Sequence, residues 1–133
     1  MGYGVRDMGY SILIVDDDQE LRRLYRTILE REGYSVDEAA NGAEALKYLM
    51  SYTPDVLVMD MLMPMLGGES VMKRIQQMPG LENMRIVILT AYPRFRESAQ
   101  FLQADQFLVK PVKPNDMLHA IEAALGVDGV AGS

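Results

Sequence analysis

The chain has 133 residues, 49% of them hydrophobic and 24% charged, which predicts one globular domain. Thirteen basic against nineteen acidic residues give a net charge of −6, which argues against direct nucleic-acid binding and against attachment to anionic membranes, since both require a basic face. Cysteine is absent, which excludes disulfides and thiolate metal sites, and no apolar stretch has the length of a membrane span.

The first half of the chain alternates strand and helix. A continuous apolar run over residues 12–15 predicts a strand buried on both faces. The next segment predicts a helix that stops at Gly33 and has an inward stripe at helical spacing: Leu21, Leu24, Tyr25, Ile28 and Leu29. A weaker strand is predicted over residues 34–39. Asn41 then predicts the cap of a second helix, with inward residues Leu46, Leu49 and Met50.

The second half continues the alternation. Apolar runs over residues 56–59, 86–89 and 107–109 predict the third, fourth and fifth strands. Gly67-Gly68 opens the third helix, while Pro93 and Pro114 stand in the first turns of the fourth and fifth helices. Five strands alternating with five helices predict a doubly wound α/β fold around a parallel sheet.

The chain ends are predicted to lie outside this domain. We expect a flexible N-terminal arm over residues 1–9, a folded domain over residues 10–125, and a flexible tail or linker stub over residues 126–133. The first residues lack the apolar core of a signal peptide, so a cytoplasmic location is expected.

Chemically active side chains follow the predicted strands. Asp16 and Asp17 come after the first strand, Asp60 after the third, Thr90 and Ala91 after the fourth, and Lys110 and Pro111 after the fifth. Parallel strands bring their carboxyl ends to one edge of the sheet, where open α/β folds bind ligands. The acids suit a hard cation such as Mg²⁺, and the hydroxyl and the ammonium suit phosphoryl oxygens. A carboxylate beside the metal can act as a nucleophile, whereas Asp18 is predicted to be a helix cap.

These motifs, in this order, resemble the receiver domains of two-component response regulators, and the resemblance covers residues 10–125. The matching segments are Ile14-Val15-Asp16-Asp17, Asp60-Met61-Leu62-Met63-Pro64 with Gly67-Gly68, Leu89-Thr90-Ala91, and Lys110-Pro111. The resemblance implies the flavodoxin-like fold, with five helices around a five-stranded parallel sheet in the order 2-1-3-4-5.

The resemblance also implies a role for each site residue. Asp60 is the expected phosphoacceptor; Asp17, Asp60 and the backbone carbonyl of Leu62 are the expected Mg²⁺ ligands, and Asp16 contributes through a bound water. Thr90, Ala91 and Lys110 are expected to hold the phosphoryl group. The expected conformational switch pairs Thr90 with Phe107, and the Lys110-Pro111 bond is expected to be cis.

The implied function is a phosphorylation-controlled switch that takes a phosphoryl group from a sensor histidine kinase or a phosphotransfer protein. Such a switch is expected to catalyse only its own phosphorylation and dephosphorylation and not to act as an enzyme on external substrates. Homodimer formation and an output domain beyond Ser133 are left open. The alternative is a Mg²⁺-dependent hydrolase with Asp60 as nucleophile, but such phosphatases place a general acid two residues later, where this chain has Leu62.

The chain departs from the family pattern between Thr90 and Lys110, a segment shorter than is usual. A short, shifted or partly unwound fourth helix is therefore expected. Beside the site, Leu62 is apolar and Tyr92 is bulky. Neither supplies an obvious group to orient an attacking water, and both are expected to shield the phosphoryl group, which predicts that it is lost slowly. Of the clustered methionines, Met59 is predicted to lie in the core and Met61, Met63 and Met65 to pack in loops.

Overall fold

The computed structural model describes residues 9–127, which form one parallel five-stranded sheet with helices on both faces. The strands are β1 Ser11–Val15, β2 Ser35–Ala39, β3 Val56–Asp60, β4 Arg85–Thr90 and β5 Gln106–Val109. The helices are α1 Gln19–Arg31, α2 Gly42–Leu49, α3 Gly68–Ile75, α4 Arg96–Phe101 and α5 Pro114–Leu125. The strand order β2-β1-β3-β4-β5 confirms the predicted topology.

The core has two halves, one on each face of the sheet. Alternate residues of a strand point to opposite faces, so a strand covered on both sides must be apolar throughout. In β1, Leu13 and Val15 pack on the face that carries α2, α3 and α4, while Ile12 and Ile14 pack on the face that carries α1 and α5. This two-sided burial explains the continuous apolar runs in the sequence.

The predicted helix caps are confirmed. The carboxylate of Asp18 accepts hydrogen bonds from the amides of Glu20 and Leu21 at the start of α1, and the amide oxygen of Asn41 accepts one from Glu44 at the start of α2. Gly126 ends α5 in the left-handed conformation, at φ +73°. Asp18 is therefore a structural cap.

Two predicted core positions were wrong. Leu24 lies on the solvent side of α1, because Tyr25 and Leu29 face the sheet and leave Leu24 at the edge of the apolar stripe. Met50 follows the last residue of α2 and is also exposed, because the helix ends before it completes another turn over the core.

The methionines after β3 divide between the core and the surface. Met61 and Met63 are buried and belong to the core that contacts α2 and α3, so the prediction of loop packing understates their burial. Met65 is exposed and has a left-handed backbone, at φ +70°.

The fourth helix is short, as expected from the shortened segment. A 3-10 turn over Pro93–Phe95 leads into α4, and the chain turns at Gln103 with φ +70°. Asp105 then extends the pairing of β4 with β5, because its backbone amide donates to the Ile86 carbonyl at 2.8 Å and its carboxylate accepts from the Ile86 amide at 2.7 Å.

No helix within residues 9–127 is long and apolar enough to cross a membrane. Most of the predicted N-terminal arm and of the predicted tail lies outside the described residues.

Candidate functional site

The fold brings the predicted side chains to the carboxyl edge of the sheet. Asp16 directly follows β1, while Asp60 is the last residue of β3 and pairs with Leu89 of β4. Lys110 follows β5, and its backbone amide donates to the Thr90 carbonyl at 2.8 Å. The order of the strands therefore places side chains that are 94 residues apart in sequence within hydrogen-bonding distance.

Three carboxylates form one cluster. Asp16 is 2% exposed and Asp60 is 8% exposed, whereas Asp17 is open to solvent. One oxygen of each carboxylate lies within 4.8 Å of the others. Mg²⁺ prefers oxygen ligands, usually one or two carboxylates with several waters, and an exposed acid beside two buried ones meets that requirement. The donor set therefore fits Mg²⁺.

Lys110 is the counter-charge of the cluster. Its ammonium lies 2.8 Å from Asp16 Oδ2 and 3.1 Å from Asp60 Oδ2, and its side chain is 14% exposed. Burial alone would lower the pKa of Lys110, but the hydrogen bonds and negative charges of Asp16 and Asp60 outweigh burial and raise it. The amine is therefore protonated at neutral pH and shared between two acids.

The surroundings of Asp60 disfavour its ionisation. Burial raises the pKa of the Asp60 carboxyl; Lys110 opposes that rise, and the charge of Asp16 adds to it. The Leu62 amide donates to Asp60 Oδ1 at 3.2 Å and also favours the ionised form. A buried carboxylate that is only partly compensated gains from any further cation brought to the cluster.

Asp16 is anchored at every polar atom. Its backbone amide donates to the Ala39 carbonyl at 3.3 Å, and its backbone carbonyl accepts from Arg22 at 2.6 Å. Its carboxylate accepts from the Asp18 amide at 2.9 Å and from Lys110. Since these partners occupy both carboxylate oxygens, Asp16 suits an indirect contact with a metal better than Asp17 does.

A glycine allows α3 to begin against the cluster. The Gly68 amide donates to the Met61 carbonyl at 2.8 Å. A Cβ at this position would lie 2.9 Å from Met61 Cα and 3.0 Å from the Asp60 carbonyl oxygen. Any side chain here would push the helix away from Asp60, which explains the glycine physically.

The remaining predicted residues lie at or beside the same edge. Thr90 is fully buried at the end of β4, and its hydroxyl oxygen accepts from the Tyr92 amide at 3.2 Å. Phe107 is half-buried in β5, with the guanidinium carbon of Arg96 4.7 Å from the centre of its ring. Leu62 and Tyr92 are both partly exposed, and the Lys110-Pro111 bond is cis.

Three residues at or next to the cluster were not predicted as site residues: Arg22, Glu38 and Tyr25. Arg22 contacts Asp16 and is held by Glu38, whose pKa is lowered chiefly by a hydrogen bond from Arg26 and further by Arg22. Tyr25 is buried beneath the site; burial raises its pKa, Lys110 opposes that rise, and Asp16 and Asp60 add to it. The available signal was Glu38 itself, a charged residue inside a strand.

A family model and curated relatives match most of the chain. A family model described as the response regulator receiver domain matches residues 12–122. The transcriptional regulatory protein ResD of Bacillus subtilis is 35% identical over 117 residues, which are 86% of this chain and 48% of ResD. The response regulator MprA of Mycobacterium tuberculosis is 37% identical over 120 residues, 89% of this chain and 51% of MprA. The chain thus spans about half the length of these curated relatives.

Solved structures share the fold over nearly their whole length. The chemotaxis protein CheY4 of Vibrio cholerae superposes with a TM-score of 0.82 at 29% identity, covering 87% of this chain and 98% of CheY4. The response regulator TrrA of Thermotoga maritima, solved in complex with Mg²⁺-BeF, has a TM-score of 0.79 at 33% identity and covers 87% of this chain and 99% of TrrA.

Proposed function

The chain belongs to the response regulator receiver family of two-component signalling proteins, and from that membership we propose that it accepts a phosphoryl group on Asp60 and switches a partner-binding face. One observation supports this proposal most strongly: the Asp60 carboxylate is buried beside Lys110 and within 4.8 Å of two further acids. The proposed domain covers residues 10–125. Like other receivers, it is a signalling domain and not a classical enzyme.

The proposed reaction needs little from the protein beyond placement. Asp60 attacks the phosphorus of a phosphohistidine, the new O–P bond forms as the N–P bond breaks, and the departing imidazole nitrogen keeps the electron pair and takes up a proton. Lys110 already contacts Asp60 Oδ2 at 3.1 Å, so its ammonium lies where phosphoryl oxygens would gather charge. Thr90 and the Ala91 amide are proposed to hold the remaining oxygens.

The acid cluster is the proposed Mg²⁺ site. Asp17, Asp60 and the Leu62 carbonyl are the proposed ligands, and Asp16 acts through a water. Bound Mg²⁺ would neutralise negative charge on the phosphoryl group. The relative TrrA was solved with Mg²⁺-BeF, which supports this choice of cation. Lys110 keeps Asp16 oriented by their 2.8 Å contact, so the cluster has its shape before a cation arrives.

The proposed switch runs from Thr90 to Phe107. Thr90 ends β4 and its register partner Val109 ends β5, two residues after Phe107. Phe107 is half-buried against the core beside the short α4, so a small displacement of Thr90 would alter its packing. The face formed by α4, β5 and α5 is therefore the proposed readout.

The proposed phosphodonor is a sensor histidine kinase or a phosphotransfer protein. ResD and MprA are named as a transcriptional regulatory protein and a response regulator, and each is about twice the length of the matched segment. An output domain beyond Ser133 is a proposal that the length of those relatives supports, and a homodimer is proposed beside it. A cytoplasmic location is part of the same proposal, because the phosphodonor acts there.

A phosphorylation assay tests the function. The chain is incubated with acetyl phosphate and Mg²⁺ and followed by intact mass, with inorganic phosphate measured in parallel. One added phosphoryl group in the wild type, and none in Asp60→Asn, is the expected result. Steady release of phosphate without an adduct would instead indicate the hydrolase, which Leu62 disfavours because its side chain cannot act as a general acid.

A further inference from the structure

Arg22 ties the loop that carries the acids to the neighbouring strand. Its Nη1 donates to the backbone carbonyl of Asp16 at 2.6 Å, and its Nε donates to Glu38 Oε1 at 2.7 Å. The Arg22 side chain is only 11% exposed. Glu38 belongs to β2, which pairs in register with β1, so one guanidinium joins the acid loop to the rigid sheet.

The carbonyl that Arg22 holds belongs to the peptide unit joining Asp16 to Asp17. Asp17 is exposed, and within residues 9–127 no hydrogen bond or ion pair holds its carboxylate. The backbone therefore sets the point and the direction from which the Asp17 side chain leaves the chain. Arg22 fixes that backbone, whereas the Asp16 side chain has its own partners in Asp18 and Lys110.

We infer that Arg22 is a positioning residue for the cation site: it orients the peptide that carries Asp17, and Glu38 holds the guanidinium in place. This inference rests on the proposed Mg²⁺ site. Removing a group that orients a metal ligand without contacting the metal typically lowers metal affinity by about 10–100-fold. Arginine suits the role because its planar fork serves a carbonyl and a carboxylate at once, which a lysine ammonium cannot do in the same geometry.

Arg26 provides a matched control. Its Nη1 donates to the other oxygen of Glu38 at 2.8 Å, and its Nε donates to Glu30 at 3.1 Å. No hydrogen bond joins Arg26 to Asp16 in the described part of the chain. Arg26→Gln therefore removes the same charge and an ion pair to the same carboxylate, but leaves the contact between Arg22 and the Asp16 carbonyl intact.

The sign of the change in Mg²⁺ affinity separates a positioning role of Arg22 from a purely electrostatic one. Removing a positive charge near the acids would by itself strengthen their attraction for Mg²⁺. Loss of the orientation of the peptide that carries Asp17 would instead weaken Mg²⁺ binding. The Mg²⁺ dissociation constant, measured by isothermal titration calorimetry on the full chain, is therefore expected to rise about tenfold in Arg22→Gln. Arg22→Lys is expected to raise it as well, and Arg26→Gln to leave it unchanged or lower it.

Melting curves in EDTA show whether each variant is folded. If Arg22→Gln does not fold, Arg22→Lys serves in its place, because it keeps the positive charge and loses the two-armed contact, and it is expected to weaken Mg²⁺ binding relative to Arg26→Gln. Equal or tighter binding in the folded Arg22 variants, beside a wild type that binds Mg²⁺, would overturn this inference alone. A wild type that binds no Mg²⁺ would overturn the proposed metal site together with it.

Discussion

Replacement of Lys110 by methionine tests the electrostatic account of the site. The ammonium lies 2.8 Å from Asp16 and 3.1 Å from Asp60, and it is the only ion-pair partner of either carboxylate within residues 9–127. Methionine keeps much of the apolar stem and removes the charge. Two buried carboxylates are then left to repel each other.

The expected loss of stability is large. Removing one partner of a buried ion pair typically costs about 3–5 kcal/mol, because the remaining charge stays desolvated. For a domain of this size each kcal/mol shifts the melting temperature by about 3–5 °C, so Lys110→Met is expected to melt about 10–20 °C lower in EDTA at neutral pH. Mg²⁺ supplies positive charge to the same acids, so it should restore more stability to this variant than it adds to the wild type.

The assay is thermal unfolding followed by circular dichroism, with and without Mg²⁺. Lys113→Met is the control, because Lys113 is exposed three residues further on and makes no ion pair in the described part of the chain. The pKa of Lys110 is raised, so its stabilisation is complete at neutral pH and is lost only as pH rises beyond the usual lysine value of about 10.4. A Lys110→Met variant as stable as Lys113→Met would show that the Lys110 ammonium does not stabilise the two buried acids.

Three further predictions concern the metal, the contact between Arg22 and Glu38, and the lifetime of the phosphoryl group. Mg²⁺ at ten times its dissociation constant should stabilise the wild type by about 1.4 kcal/mol, or about 4–7 °C, and Asp17→Asn should abolish this gain. A melting temperature that does not change when EDTA is added to the Mg²⁺-loaded protein would contradict the proposed site. The pKa of Glu38 is lowered, so the stability that its ionised carboxylate contributes is present above the usual value of about 4.3 and is lost as pH falls. The stability difference between wild type and Glu38→Gln should therefore close in acid. A difference that stays constant with pH would argue against an ionic contact between Glu38 and the two arginines. Leu62 is apolar and Tyr92 is bulky, and both are exposed beside the site, so they should shield the phosphoryl group from water. Loss of the group, followed by intact mass, should therefore take many minutes, and complete loss within seconds would contradict this.

The sequence was sufficient to predict the topology and the edge of the sheet at which the acids and the lysine lie. Strands buried on both faces are apolar at every position, so Asp16 and Asp60 stand out where their strands end. Parallel strands share one carboxyl edge, and this rule predicts that Lys110 lies at the same edge as both acids although it is far from them in sequence. Local signals also sufficed for the caps Asp18 and Asn41.

Other features depend on distances that one sequence does not contain. The contact of Arg22 with the Asp16 carbonyl requires the register of β1 with β2 and the rotation of α1. That same rotation leaves Leu24 in solvent, although its helical spacing suits a core position. The Asp105 carboxylate accepts the hydrogen bond that the Ile86 amide would otherwise donate to a backbone carbonyl of the next strand. The shortened segment after Thr90 rejoins the sheet through this contact.

The residue that carries the phosphoryl group can be identified chemically. The chain is treated with acetyl phosphate and Mg²⁺, reduced with borohydride, which converts an aspartyl phosphate to homoserine, and digested for peptide mass spectrometry. We expect homoserine at position 60, and no conversion in the Asp60→Asn variant. Conversion at Asp16 or Asp17 instead, or no conversion in the Mg²⁺-loaded wild type, would contradict the assignment of Asp60 as the phosphoacceptor.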